Sequence, residues 1–185
     1  MGVFLSQAAG GVKPWTLFGQ QATGSSLTAD NAGNTIGVQF SVSRAGTLAA
    51  IWFYSAPTAI ELPQHIALFR VSGASLVASQ VPTWSGAAGS GWVRAPFTTP
   101  PALTAGTAYK ACVHDASGIN YYSTTAHYWD TGPGQNGITS GPLSAPNNAG
   151  GDGGQDTFTE PSVTVLYPAT SFNASNYWVD PEVTA

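Results

Sequence analysis

The chain has 185 residues, enough for one domain with a substantial core, and only 8% of them are charged. Because 43% of the residues are hydrophobic and the net charge is only −4, the composition is not that of a disordered chain. The basic residues stand singly, whereas nucleic-acid binding usually requires clustered cations, so we exclude that function. No apolar run approaches the ~20 residues of a membrane helix, so no membrane partner is expected.

The first 33 residues hold only two short strand signals, at 15–18 and 25–28. The first eleven residues lack the basic region and the long apolar core of a secretory signal, which predicts a removed signal or no export by that route. We predict that residues 1–33 form an N-terminal arm or short strands that pack on a neighbour. Residues 34–185 are predicted to form a single β-sandwich domain.

Strand signals dominate the rest of the chain. Residues 35–43 alternate, with apolar side chains at every even position from Ile36 to Val42. Residues 47–55 are apolar in both phases, which is typical of a strand covered on both sides or of one that meets a partner. Further strands are predicted at 64–71, 75–80, 91–97, 107–114 and 176–183. Regularly spaced short strands favour an all-β fold, an antiparallel β-sandwich of the jelly-roll kind.

Three local features refine this prediction. Residues 130–157 are rich in Gly, Pro and Asn and are predicted to be a long loop insertion, of a length that is often functional. Pro181 has no N–H to donate, so the last strand is expected at a sheet edge. Cys112 has no disulfide partner in the sequence and lies in an apolar strand, where a buried, unreactive thiol is expected.

Several segments together resemble a bacterial family of secreted β-sandwich modules that is known only as a domain of unknown function. The pieces are TIGVQFSVSRAGTLAAIWFY (35–54), LFRVSGASLVAS (68–79), GWVRAPFTTPPALTAGTAYKACVHDASGINYYST (91–124) and YPATSFNASNYWVD (167–180). The most specific piece is NYWVD at 176–180, in which Asp180 is interpreted as a structural hydrogen-bond acceptor. The resemblance implies a β-sandwich and a neighbourhood of glycoside hydrolases and Ig-like repeats. It implies no mechanism.

The chain departs from the family pattern at three positions. Trp52 stands where the family usually has Arg, Phe69 stands where Trp is usual, and Pro181 interrupts the last strand. We interpret the added Trp52 as an exposed residue of an interface.

Catalytic and metal sites are not predicted. A glycosidase needs two positioned carboxylates, and neither such a pair nor a Gly-x-Ser-x-Gly elbow is apparent, so we expect no enzyme and no cofactor. The sequence spacing of the three histidines, His65, His114 and His127, is not that of a metal site. Asp152 and Asp156 could offer oxygens to Ca²⁺, but they lack the EF-hand pattern.

Aromatic residues are the best candidates for binding. Flat rings pack against the apolar faces of sugars at little entropic cost. The predicted ligand-binding residues are Trp84, Tyr121, Tyr122, Tyr128 and Trp129. The alternative, that these rings close the ends of the sandwich core, stays open. Trp178 and Tyr109 are assigned to core packing.

Two functions from different classes agree with these observations. The first is a structural or adhesion protein of a bacteriophage particle: a minor tail, fibre-associated or capsid-surface subunit. Such a protein would pack on other virion subunits or on itself, as a homo-oligomer, and could touch host cell-wall glycans. The low-charge composition, the Met1 start and Trp52 favour it. The second is a carbohydrate-binding module of a bacterial secreted or cell-surface protein, which the aromatic residues favour.

Overall fold

In the computed structural model the regular secondary structure is almost entirely β-strand. The structure describes residues 14–20, 26–29, 33–116, 121–159 and 161–185, with the backbone alone at 26–29 and 121. The strands are β1 (Ser26–Ala29), β2 (Asn34–Val42), β3 (Gly46–Ser55), β4 (His65–Arg70), β5 (Ser75–Gln80), β6 (Gly91–Pro96), β7 (Ala102–Leu103), β8 (Ala108–Asp115), β9 (Tyr121–Thr124), β10 (Ile138–Ser140), β11 (Leu143–Ala145), β12 (Thr157–Phe158) and β13 (Val179–Thr184). Short 3-10 turns lie at Ser72–Ala74 and Asn148–Gly150. Within the described ranges, no helix has the length and apolarity needed to cross a bilayer.

The strands pair into two antiparallel sheets. One has the order β1-β9-β3-β13, with β6 and β7 also paired to β3. The other has the order β10-β11-β2-β8-β4-β5, with β12 also paired to β2. The two sheets enclose one main core, so the predicted all-β antiparallel sandwich is confirmed.

The core follows from the alternation seen in the sequence. Ile36, Val38 and Phe40 of β2 are buried between the sheets, as the predicted strand requires. In β3 both phases are partly covered, since Phe53 is buried and Trp52 lies half-buried on the other face. Large inward side chains on facing strands thus supply the apolar burial that stabilises the sandwich.

A second, smaller core covers the outer face of the larger sheet. Ala67, Phe69 and Cys112 are buried there, against Val165 and Tyr167. Residues 161–170 therefore lie over this sheet as a third layer. Cys112 is buried as predicted, and its burial raises the pKa of the thiol far above the usual range.

The lysine of β8 fastens this third layer. Lys110 is fully buried, and its ammonium donates hydrogen bonds to the carbonyl oxygens of Asp152 and Pro168 (2.7 Å each) and to the hydroxyl of Thr157 (3.0 Å). A buried ammonium is tolerated when its protons are all satisfied in this way. Burial nevertheless lowers the pKa of Lys110.

The long segment at 130–157 is only partly irregular. It contains β10, β11 and the start of β12, and Gln155 within it is fully buried. The Gln155 side chain exchanges two hydrogen bonds with the backbone of Gln39 on β2, at 3.1 and 2.8 Å. The segment is therefore held by its own sheet.

Residues 14–20, which we call the strap, lie along β13. Trp15 and Val183 exchange two backbone hydrogen bonds of 2.8 Å. Apart from this bridge, β13 pairs only with β3 among the described residues, so the edge position predicted from Pro181 is confirmed. Residues 1–13, 21–25 and 30–32 of the predicted arm lie outside the described residues, and packing of the arm on a neighbour stays a prediction.

Candidate functional site

A surface cleft of about 270 Å³ opens between a strand of each sheet. It lies between β9 and β12 and is closed by the chain that leads into β13. We call it the aromatic cleft. It is lined by Tyr122, Thr124, Ala126, Phe158, Phe172, Asn173, Ser175 and Tyr177. Among the described residues no charged side chain lines it, so the site combines apolar rings with hydroxyl and amide groups.

A tight turn presents Phe172 at the mouth of the cleft. Asn173 and Ala174 have φ values of 51° and 45°, in the left-handed region that non-glycine residues rarely adopt. Backbone hydrogen bonds hold the turn, since the N–H groups of His127 and Trp129 donate to the carbonyls of Asn173 and Ala174 at 2.8 and 3.0 Å. The fold thus retains local strain that keeps a phenylalanine in solvent.

The rings of the cleft differ in exposure. Phe172 is 62% exposed, whereas Tyr177 is buried. Tyr122 is half-buried and meets Tyr177 edge-on, with ring centroids 5.6 Å apart. This arrangement gives a fixed aromatic floor and a projecting ring at the rim, a shape that suits a flat, partly apolar ligand.

A buried carboxyl group lies behind the floor. Asp156 accepts a hydrogen bond from the backbone N–H of Tyr177 at 2.9 Å. Burial raises the pKa of Asp156 to about 8, although this hydrogen bond and the charge of Lys110 oppose the shift. The group is therefore largely neutral at pH 7 and supports the position of Tyr177 without adding charge to the cleft.

Of the predicted ligand-binding residues, Tyr122 lines this cleft. Tyr121 is the neighbouring residue on β9, and its side chain lies outside the described part of the structure. Trp84 lies elsewhere: its indole N–H donates to the carbonyl of Pro63 at 2.9 Å, and its ring packs on Phe53. A binding role for Tyr121 and Trp84 stays a prediction.

Tyr128 and Trp129 belong to a different group of rings, which we call the buried aromatic cluster. Phe18 of the strap lies 5.3 Å from Trp178 and 6.1 Å from both Tyr128 and Trp129, centroid to centroid. Trp129 is fully buried and Tyr128 nearly so. These rings pack in the core beneath the strap, the arrangement that the alternative interpretation describes. A binding role for Tyr128 and Trp129 stays a prediction.

Trp52, predicted as an exposed interface residue, is half-buried. Its indole N–H donates to a carboxylate oxygen of Glu182 at 2.8 Å. Arg94 binds the same carboxylate through two hydrogen bonds of 2.8 and 2.7 Å, and this lowers the pKa of Glu182. Trp52 therefore belongs to a polar network on the outer face of its own sheet. Its role as an interface residue stays a prediction.

The groups considered for metal binding do not converge. Asp152 accepts a hydrogen bond from Tyr167 and lies 3.9 Å from the Lys110 ammonium, whereas the Asp156 carboxyl meets Tyr177. In the described part of the chain, no three His, Cys, Asp or Glu side chains come together as metal ligands would. Asp180 was interpreted as a structural acceptor. Its carboxylate accepts hydrogen bonds from the backbone N–H groups of Leu17 and Phe18 at 2.6 and 3.0 Å.

Sequence reasoning missed Phe158, Phe172 and Tyr177 as cleft residues. Tyr177 could have been found, since it stands in the NYWVD piece, and Phe172 precedes an Asn, the non-glycine residue that best tolerates a left-handed turn. Phe158 carries no local signal, because its place in the cleft depends on the pairing of β12 with β2 and on a bridge to Thr170.

The geometry defines a β-sandwich with an uncharged aromatic cleft on its surface. The chain belongs to the family described as domain of unknown function (DUF4082), whose model matches residues 20–179. No curated protein matches the chain.

Proposed function

We propose that this chain is a non-enzymatic adhesion module that binds a glycan through the aromatic cleft. The observation that carries the proposal is Phe172, a large ring held in solvent by a strained turn beside Tyr122 and Tyr177. An exposed ring fixed by its backbone loses little entropy when it packs against a sugar.

The chemistry of the cleft indicates the class of glycan. Asn173, Ser175 and Thr124 offer amide and hydroxyl groups, and no charged residue is among the described lining residues. A neutral sugar has apolar C–H faces for the rings and hydroxyl groups for these polar atoms. A strongly anionic glycan would find no cation to pair with among these lining residues.

A non-catalytic role is supported by the neighbours of three buried carboxyl groups. Glu182 is bound by Arg94 and Trp52, and Asp180 by the strap. Asp156 lies behind the floor of the cleft, with its carboxyl on the Tyr177 backbone. Hydrolysis of a glycosidic bond requires two carboxyl groups that flank the substrate. The family resemblance is also in keeping with a glycan-binding role, since it implies modules that accompany glycoside hydrolases.

The test is binding of the full chain to a panel of neutral cell-wall and storage polysaccharides, by pull-down and by calorimetry. We expect saturable binding to at least one neutral glycan. Phe172→Ala and Tyr122→Ala should each weaken it about tenfold, the factor that corresponds to ~1.4 kcal/mol.

Val163→Ala is the matched control, because Val163 is 78% exposed and does not line the cleft. It should bind like the unchanged chain. Absence of binding across the panel, or equal loss in the control, would contradict the proposal.

A second candidate function is a structural subunit of a bacteriophage particle, which packs on other virion subunits. The observation that favours it is the apolar edge of the larger sheet, where β5 carries Leu76 at 53% exposure and is followed by Val81 at 73%. Exposed apolar residues on an edge strand commonly mark a contact with another chain.

Light scattering of the full chain at micromolar concentration tests this second function. A closed multimer or a ladder of assemblies that Leu76→Ser abolishes and Val163→Ser leaves intact is the expected result. A monomer in both variants and in the unchanged chain would favour the glycan-binding module alone.

A further inference from the structure

The strap makes a compact set of contacts with a single acceptor surface. We propose that this surface is an assembly site, on which a second copy of the chain docks its own residues 14–20 in exchange. The exchanged pair would make, between two chains, the contacts that the structure shows within one.

The backbone of the strap is recognised by β13. Trp15 and Val183 exchange two hydrogen bonds, and the Asp180 carboxylate accepts the N–H groups of Leu17 and Phe18. The amide of Gln20 donates to the same carboxylate at 3.2 Å. A sheet edge that pairs with an extended segment and offers one buried acceptor can take the same segment from another chain.

The side chains of the strap add specificity. Phe18 enters the buried aromatic cluster, and Leu17 is buried in the main core. The Trp15 ring lies over Gly141, where any Cβ would overlap it. The acceptor surface is therefore shaped for the sequence of the strap, and a second copy of the chain carries that sequence.

The strap ends in two residues with left-handed backbone conformations, which are suited to act as a hinge. Gly19 and Gln20 have φ values of 62° and 55°, and the left-handed conformation of Gln20 costs free energy in the closed form. Opening of the strap would release that strain, which eases the opening step, while the exchanged pair restores the same conformation. The family match begins at residue 20, so most of the strap precedes the shared module.

Concentration sets the balance between the two forms. A segment tethered by a short linker competes at an effective concentration of about 1 mM, so the closed form is expected in dilute solution. Exchange becomes favourable when copies are crowded, as on a surface or in an assembly.

The experiment uses paired cysteines at the bridge. Directly paired antiparallel residues lie within the Cα separation that a disulfide spans, about 4.4–6.8 Å. One preparation carries Trp15→Cys, a second carries Val183→Cys, and a third carries both changes in one chain. The first two are mixed at total concentrations from about 10 µM to about 1 mM, incubated and then oxidised.

We expect a disulfide-linked dimer in the mixture, in a fraction that rises with concentration. The fraction should fall when an excess of the unchanged chain is added before oxidation, because its strap competes for the same acceptor surface. The double variant should close on itself at low concentration, which verifies that the cysteines meet. The unchanged chain, with Cys112 buried, should give no linked dimer. A double variant that closes on itself, beside a mixture that yields no linked dimer at any concentration, would overturn the proposal.

A second measurement needs no link between chains. Light and heavy isotope-labelled copies of the unchanged chain are mixed at high concentration and examined by native mass spectrometry. Dimers of mixed mass that are absent when both copies are the double variant, oxidised beforehand so that its own disulfide holds the strap closed, support exchange of the strap. Dimers that form equally with the strap locked closed, or no dimers at all, would count against it.

Discussion

The aromatic cleft and the buried aromatic cluster are built from the same kinds of residue, yet one is open and the other is covered. Both draw on the chain around 122–129 and 172–178. Phe172 projects into solvent because a strained turn holds it there, whereas Trp129 is fully buried and lies against Phe18. The difference shows that a run of aromatic residues does not mark a binding site by itself. A distant segment decides which rings remain available.

The largest expected effect separates the two regions by stability. Trp129→Ala should lower the free energy of unfolding by about 3–5 kcal/mol, because it empties a fully buried site. Phe172→Ala should change it by no more than about 0.5 kcal/mol, because its ring is mostly in water. Urea denaturation of the two variants measures this contrast. A large loss in Phe172→Ala would mean that the cleft is part of the core.

A pH effect is expected next, from the carboxyl group beside each region. Burial raises the pKa of Asp156 to about 8 and that of Asp180 to about 7, from an ordinary value of 3.8. The folded chain therefore binds protons that the unfolded chain has released, and stability falls as the pH rises through this window. Between about pH 6.5 and 8.5 the loss should be about 2 kcal/mol. Thermal unfolding across this range measures it.

Two single substitutions show which carboxyl group causes the pH dependence of stability. Asp156→Asn should remove the larger part of the slope and Asp180→Asn the smaller part, because Asp156 has the higher pKa. Burial lowers the pKa of His114, which opposes the trend at the acidic end of this range, where the unfolded chain still keeps part of the histidine protonated. A slope that survives in the double Asn variant would contradict this assignment.

A substitution that crowds the strap should have a smaller effect on the free energy of unfolding. In Gly141→Ala a Cβ would overlap the Trp15 ring, and the φ of 56° at this position disfavours alanine. We expect a loss of about 1 kcal/mol and partial release of the strap. Release would bring Phe18 off the buried aromatic cluster and shift the tryptophan emission to the red. Gly73→Ala is the control: it also has a positive φ, but no atoms lie near its Cβ. An equal red shift in both variants would contradict the prediction.

The sequence could predict the sandwich because its strong signals are local. Alternation in β2 and the doubly apolar β3 predicted two of the longest strands, and Pro181 predicted the edge. Strands β10, β11 and β12 were missed because two or three residues carry no period. They form through pairing within a segment whose composition predicts only loop.

The candidate site was less predictable, because exposure is a long-range property. Tyr122, Tyr128 and Trp129 were all predicted from one aromatic neighbourhood, yet Tyr122 lines the cleft and the other two are buried. Nothing near Tyr128 in the sequence reveals that Phe18 packs against it. Phe172 was missed for the opposite reason, since its exposure depends on a turn conformation that its neighbours rarely adopt.

The smallest expected effect tests what holds Phe172 at the rim of the cleft. It asks whether the backbone conformation of the turn does so, whereas side-chain packing holds the rings of the buried aromatic cluster. Ala174→Gly removes the strain of a left-handed alanine, which should raise the free energy of unfolding by about 1–2 kcal/mol. The variant also loses a buried methyl group and gives the unfolded chain more conformational freedom, and these two effects together should lower it by about as much. The free energy of unfolding should thus change by less than about 0.5 kcal/mol. The turn should nevertheless open more often, so the amide of Ser175, which donates to the Phe172 carbonyl at 3.1 Å, should exchange its hydrogen several-fold faster. The amide of Val38, in the centre of β2, should exchange as before. Unchanged exchange at Ser175 would mean that packing against residues 125–129, rather than the conformation of Ala174, holds Phe172 in place.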